Sequence, residues 1–183
     1  MQRFVAKVKT LQVGDPTKGK FPIGACVDAK TVDHVKALIA DATAKGAKVA
    51  SGGTGPGGAF FEPTVVDGVL KGVRIYGEES FGPVVGVLRA LDADHAVELA
   101  DDCEYGLSAA VFGKDIARAF NVARKIDSGI CHVNGPTVHD EAQMPFGGVK
   151  GSGIGRFGGK AGIAEFTELR WITLQTTPRH YPF

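Results

Sequence analysis

No stretch of this 183-residue chain approaches the roughly 20 consecutive apolar positions of a membrane span. The opening MQRFVAKVKT lacks the apolar core of a secretory leader. Cysteine is scarce. Cys26, Cys103 and Cys131 are an odd set without C-x-x-C spacing, which argues against a disulfide framework and against a zinc site. Excess charge is also lacking. At a formal +1 there is no basic surface to suggest nucleic acid or an anionic membrane. A cytoplasmic protein is the expectation. What is present, 44% hydrophobic and 22% charged residues, matches an ordinary globular chain long enough for one good core. The 26 glycines are too many for a simple helical bundle.

Taken in order, residues 2–11 predict an amphipathic helix, with Phe4, Val5, Val8 and Leu11 on one face and no capping side chain before it. Gly14-Asp15-Pro16 ends it with turn chemistry. Residues 31–45 predict a second helix through Val32, Val35, Leu38, Ile39 and Ala42, with Gly46 as a left-handed cap. Residues 48–50 are a short strand, and 60–66 are extended. Residues 84–91 form an apolar strand, and Asp92 caps a helix carrying Ala96, Val97 and Ala100. A strand at 107–112, a helix at 114–126 and a strand at 129–133 follow. Alternating strands and helices imply right-handed crossovers: an α/β fold with a mainly parallel sheet and flanking helices. A short helix at 161–168 precedes a last strand that opens on Arg170 and closes on Gln175. An extended tail occupies 176–183.

The richest stretch is 129–156, GICHVNGPTVHDEAQMPFGGVKGSGIGR. It begins as a buried strand, which Gly135-Pro136 breaks because proline lacks the ladder N–H. A loop carrying Thr137, Val138, His139, Asp140, Glu141, Gln143 and Met144 follows and closes on Pro145-Phe146-Gly147-Gly148. A long structured loop after a strand reads as a binding loop, with a flexible glycine-rich linker as the alternative. Phe146, held between a proline and two glycines, is suited to wall an apolar pocket. The consecutive residues His139, Asp140 and Glu141 do not converge on one ion, so no metal is expected. Two formal GxGxxG matches, at Gly53, Gly55 and Gly58 and at Gly153, Gly155 and Gly158, lack the strand-to-helix context of a nucleotide site and read as turns.

Glu79 is the sharpest single residue, in Glu78-Glu79-Ser80-Phe81-Gly82-Pro83. A carboxylate accepts two hydrogen bonds side by side, the geometry that paired ribose hydroxyls offer. Phe81, two residues on in an extended segment, points to the same side and offers a flat ring. A surface glutamate beside a core phenylalanine is the plain alternative.

Two motifs, N-G-P-x-V-x-D-E-A-Q-M-P-F-G-G-x-K-x-S-G-x-G-R and E-E-S-F-G-P, resemble those of the aldehyde dehydrogenase superfamily, nearest its aromatic-aldehyde branch. The resemblance covers essentially the whole chain but only the last third or so of such an enzyme. It implies that Glu79 and Phe81 hold the nicotinamide ribose and ring of NAD or NADP, and that Phe146 lines the aldehyde tunnel with Val138, His139 and Met144. It implies that residues 1–161 are the C-terminal part of the catalytic domain. Residues 162–183 are then a short helix, a strand that joins a neighbouring subunit of a homo-oligomer, and a tail.

The family's chemistry uses a cysteine thiolate that attacks the aldehyde and a glutamate that activates the water for hydrolysis. That cysteine follows a Gly-Gln pair, and the glutamate precedes a Gly-Gly or Ser-Gly pair; neither motif occurs here. All three cysteines read as structural, so no catalytic residue is assigned. The expectation is a fragment of an NAD(P)-dependent aldehyde dehydrogenase, inactive alone and binding no cofactor alone. The alternative is a non-enzymatic oligomerising or regulatory module derived from that family.

Overall fold

Asp28 opens the longest helix among the described residues. Its carboxylate accepts from the Thr31 backbone N–H at 2.8 Å and from the Thr31 hydroxyl at 2.9 Å, satisfying donors that the first turn leaves free. The cap moves the helix start two residues ahead of the position predicted from periodicity. The structure, a computed structural model, describes residues 1–182; Phe183, the end of the expected tail, lies outside them. The chain divides into two compact units, Met1–Ala96 and Val97–Phe183.

The first unit holds α1 (Gln2–Val8), α2 (Ala29–Ala44), β1 (Lys48–Ser51), β2 (Thr64–Asp67), α3 (Arg74–Gly77) and β3 (Val84–Val87), and it closes within α4 (Ala93–Asp101). The apolar face of α2 predicted from the sequence is the one buried: Val32, Val35, Leu38, Ile39 and Ala42. Gly46 sits at φ +94°, a left-handed position that costs glycine little, and the Ala47 N–H reaches back to the Ala42 carbonyl at 3.0 Å. Phe61, 1% exposed, packs with Val66, Val69 and the α2 residues. Phe61→Ala should therefore lower the stability of this unit by about 3–5 kcal/mol, the usual cost of emptying an aromatic core site. Urea unfolding followed by amide resonances of α2 measures it, and a loss below about 1 kcal/mol would place Phe61 outside the packed core.

The second unit continues with β4 (Tyr105–Gly106), β5 (Ser108–Val111), α5 (Ile116–Ala123), β6 (Ile130–Val133), β7 (Val149–Lys150) and α6 (Gly159–Glu165). Asp115 caps α5, accepting from the Arg118 N–H at 3.0 Å. The helix buries Ala119 and Ala123 and leaves Ile116 and Phe120 exposed.

The mixed α/β class is as expected, but the mainly parallel sheet is not what the strands form. Among the described residues there are three small sheets, ordered β1-β2-β3, β4-β7 and β5-β6. The pairs β2/β3 and β5/β6 are parallel, while β1/β2 and β4/β7 are antiparallel. The cause is in the connections. A parallel return needs a long crossover, which α3 provides between β2 and β3 and α5 between β5 and β6. No helix lies between β1 and β2, so the chain turns back on itself there.

The last predicted strand is a second difference. Residues 170–175 adopt no strand among the described residues, and Leu169, Trp171, Ile172 and Leu174 lie exposed. A strand exists only when another strand takes its N–H and C=O groups, and none among the described residues does so here. No helix among the described residues is long and apolar enough to cross a membrane.

Candidate functional site

Two adjacent glutamates leave α3, and their surroundings separate their roles. Glu78 is committed: Arg74 Nε and Nη2 donate to its two carboxylate oxygens, each at 2.7 Å. The Arg74 hydrogen bonds hold the Glu78 carboxyl below the usual glutamate range. Glu79 is exposed, and among the described residues its carboxylate has no partner. It opens on a cavity of 520 Å³ shared with Phe81, Pro83, Ile23 and Cys26.

Phe81 lines that cavity and is 73% exposed, so it is not a core phenylalanine. Its backbone corrects one step of the sequence argument. At φ +49° it lies in the left-handed region, so the segment is not extended and strand alternation does not place Glu79 and Phe81 together. The turn does so instead. A bulky residue held at positive φ is strained and persists only where its surroundings impose it, as at ligand sites.

In the second unit the loop after β6 is anchored along its length. Asn134 pins its start: Oδ1 accepts from the Gly113 N–H at 2.8 Å, and Nδ2 donates to the Gly113 carbonyl at 2.9 Å. Ser108 Oγ donates to the Thr137 carbonyl at 2.7 Å. At the far end Phe146 and Phe157 exchange backbone hydrogen bonds at 2.8 and 2.7 Å. Arg156 Nη1 clamps the glycine segment through the Gly148 and Gly155 carbonyls at 2.8 and 2.7 Å. The chain crosses itself where the Gly147 carbonyl passes directly over Gly129, leaving no room for a side chain there. These bonds make the segment a built loop and not a flexible linker.

The loop brings Phe146, His139 and Met144 to one cavity of 420 Å³, with Ile130, Cys131 and His132 on its strand side. Val138, 92% exposed, lines a neighbouring space of 250 Å³ with Leu107 and Thr137; His139 and Phe146 wall both. His139 Nε2 is 3.4 Å from Glu141 Oε1, and its ring meets the His132 ring edge-to-face at 5.4 Å between centroids.

Sequence reasoning missed His132, reading it as one member of a buried strand. Its Nε2 is enclosed and has no hydrogen-bond partner among the described residues, an uncommon state for a buried polar atom. The available signal was its place near the C-terminal end of a parallel strand, where α/β folds collect site residues.

Cysteine chemistry is quiet here. Burial pushes the Cys131 thiol up from its ordinary range, and Cys103 Sγ donates to the Tyr105 carbonyl at 3.0 Å. Among the described residues no group of three or more His, Cys, Asp or Glu side chains is arranged to hold a metal ion. The glycines of the two GxGxxG matches include left-handed positions at Gly53, Gly58, Gly153, Gly155 and Gly158. The first match leads into no helix; the second precedes α6 but follows a turn, not a strand.

Residues 1–172 match the model of a family described as the aldehyde dehydrogenase family. A vanillin dehydrogenase from Pseudomonas fluorescens is 56% identical over 180 residues, 98% of this chain and 37% of the relative. A salicylaldehyde dehydrogenase from Pseudomonas putida is 46% identical over 99% of this chain and 38% of the relative. Among solved structures, a salicylaldehyde dehydrogenase from Pseudomonas putida G7 complexed with salicylaldehyde superposes with a TM-score of 0.90 at 46% identity, over 100% of this chain and 38% of that one. A betaine aldehyde dehydrogenase from Staphylococcus aureus in complex with NAD+ superposes with a TM-score of 0.83 at 37% identity, over 90% of this chain and 34% of that one. The chain thus spans under two fifths of the length of the relatives it matches.

Proposed function

The chain belongs to the aldehyde dehydrogenase family, and from that premise we propose that it supplies the C-terminal part of an NAD(P)-dependent enzyme that oxidises an aromatic aldehyde to the carboxylic acid. The observation that carries the reading is the pairing of an uncommitted Glu79 carboxylate with a surface-held Phe81 ring on one cavity. A flat ring and a two-oxygen acceptor match the ring and ribose of a nicotinamide nucleotide. When bound, the nicotinamide accepts the hydride. Glu79 orients the ribose, and Phe81 limits where the ring lies.

In the second unit, Phe146, Met144 and Ile130 give the 420 Å³ cavity an apolar wall for an aromatic ring, and His139 gives it a polar edge. The names of the relatives, vanillin and salicylaldehyde dehydrogenase, support an aromatic substrate. We assign residues 1–161 to the catalytic domain and 162–183 to a tail that joins a second copy in a homo-oligomer. The catalytic nucleophile and general base belong to other parts of the complete enzyme.

The experiment uses a full-length chimera in which these 183 residues replace the matching segment of the Pseudomonas fluorescens vanillin dehydrogenase. Glu79→Gln replaces a charged acceptor by a neutral one, a loss of about 1–2 kcal/mol, or roughly 5- to 30-fold in rate. Single-turnover hydride transfer should slow by that factor while cofactor affinity falls less, since the remaining cofactor contacts are unchanged. Unaltered hydride transfer would remove Glu79 from the cofactor site.

A further inference from the structure

The turn that carries Glu79 and Phe81 is not held by its own sequence, as the strained backbone at Phe81 indicates. Helix α2 grips the start of α3 and then the turn that follows it. Asp41 Oδ2 accepts from the Arg74 N–H at 2.8 Å, while Lys45 Nζ lies 2.8 Å from Asp41 Oδ1 and donates to the Gly72 carbonyl at 2.7 Å. The Arg74 and Lys45 bonds hold the Asp41 carboxyl below the ordinary aspartate range. Further along, His34 Nε2 is 3.2 Å from the Glu79 carbonyl oxygen. At the far end Gly82 lies against the Val35 side chain so closely that a Cβ there would collide with it. Beyond that, the Pro83 carbonyl accepts from the Thr64 N–H of β2 at 2.7 Å.

His34 and Val35 are neighbours on α2 with separate tasks: Val35 is fully buried in the core, and His34 turns outward to the 79–82 turn. A carbonyl oxygen only accepts, so His34 Nε2 carries the proton in this contact. The bond falls on the peptide between Glu79 and Ser80, where a rotation would swing the carboxylate and the Phe81 ring out of their shared cavity. We propose that His34 is a positioning residue: its Nε2–H holds the Glu79 carbonyl so that the Glu79 carboxylate and the Phe81 ring face the nicotinamide ribose and ring together. This rests on the cofactor reading above. His34 touches neither cofactor nor substrate and acts through the turn.

Two readouts decide it. The first uses the 183-residue chain itself and needs no cofactor. His34→Leu keeps the bulk and removes the donor; His34→Gln retains an N–H of similar reach. Amide hydrogen exchange at Glu78 and Val84, on either side of the turn, should quicken about fivefold in His34→Leu, the scale of one neutral hydrogen bond, and return in His34→Gln. Amides in the middle of α2 should not change. Equal exchange in all three proteins overturns the proposal, and so does quickening throughout α2, which would mark a general loss of stability.

The second readout is single-turnover hydride transfer in the chimera. His34→Leu should slow it about fivefold at an unchanged KM for the aldehyde, with His34→Gln restoring the rate. If Glu79→Gln slows transfer and His34→Leu does not, His34 has no positioning role. If Glu79→Gln also leaves transfer unchanged, the cofactor reading itself fails and this inference falls with it.

Discussion

Purified chain incubated at high concentration with NAD and benzaldehyde-type substrates should produce no NADH above the buffer control. The three thiols show why. Cys131 is partly buried, and burial raises its pKa, so it holds little thiolate. Cys103 Sγ is engaged with the Tyr105 carbonyl. Cys26 lines the Glu79 cavity, whose lining includes no basic residue to draw off its proton. A nucleophilic cysteine needs a nearby base or a positive environment; the cavity of Cys26 offers neither, and at Cys131, which shares its cavity with His132 and His139, burial works against the thiolate. Nor does any glutamate here stand in the family's Glu-Gly-Gly or Glu-Ser-Gly setting. The expected difference from a complete enzyme is therefore all of the turnover. Cys26→Ala, Cys103→Ala and Cys131→Ala provide the control. Activity abolished by one of them would identify an unforeseen nucleophile and defeat the prediction, while activity indifferent to all three would point to a contaminant.

The intact chain should run as an oligomer on gel filtration with light scattering, and a chain ending at Leu169 should run as a smaller species. Trp171, Ile172 and Leu174 are 90%, 72% and 87% exposed, and no strand among the described residues pairs with them. Burying apolar area is worth roughly 25 cal/mol per Å². An aromatic and two aliphatic side chains left in water are thus a strong incentive to find a partner. Their alternation, with Ile172 and Leu174 on one side and Trp171 on the other, suits a strand covered on both faces. A second copy would supply such cover, and its strand edge would take the free backbone groups. A monodisperse monomer for the intact chain would defeat the idea of self-association. An oligomer that survives the truncation would free only residues 170–175 from that role.

Much of the local structure was legible in the residues. The apolar face of α2, the cap at Gly46 and the strand at β6 followed from spacing, because a 3.6-residue or two-residue period states which side must be buried, whereas α1 buries none of its residues and leaves Phe4 exposed. The fate of the tail was not legible: residues 170–175 suit a strand by sequence, yet among the described residues they form none. The sheet direction failed for a similar reason. Strand order depends on what each connection can span, and the helix-free residues 52–63 between β1 and β2 turned the chain back, outside the stretch from residue 84 onward whose alternation implied crossovers.

The candidate site divides along the same line. Glu79, Phe81, Phe146, His139, Met144 and Val138 stand out in the sequence by residue type and motif, and their roles are those proposed above. Which of two adjacent glutamates stays free was decided by folding, because Arg74 reaches Glu78 one helical turn away and leaves Glu79 exposed. Phe81 joins Glu79 through a left-handed turn that strand alternation does not describe, and His34 meets that turn from 45 residues away. The buried nitrogen of His132 and the crossing of Gly129 by the Gly147 carbonyl exist only where distant backbone segments meet. A sequence specifies local preference and burial at short range. Partners far apart in the chain, and the strain they hold in place, are set by packing.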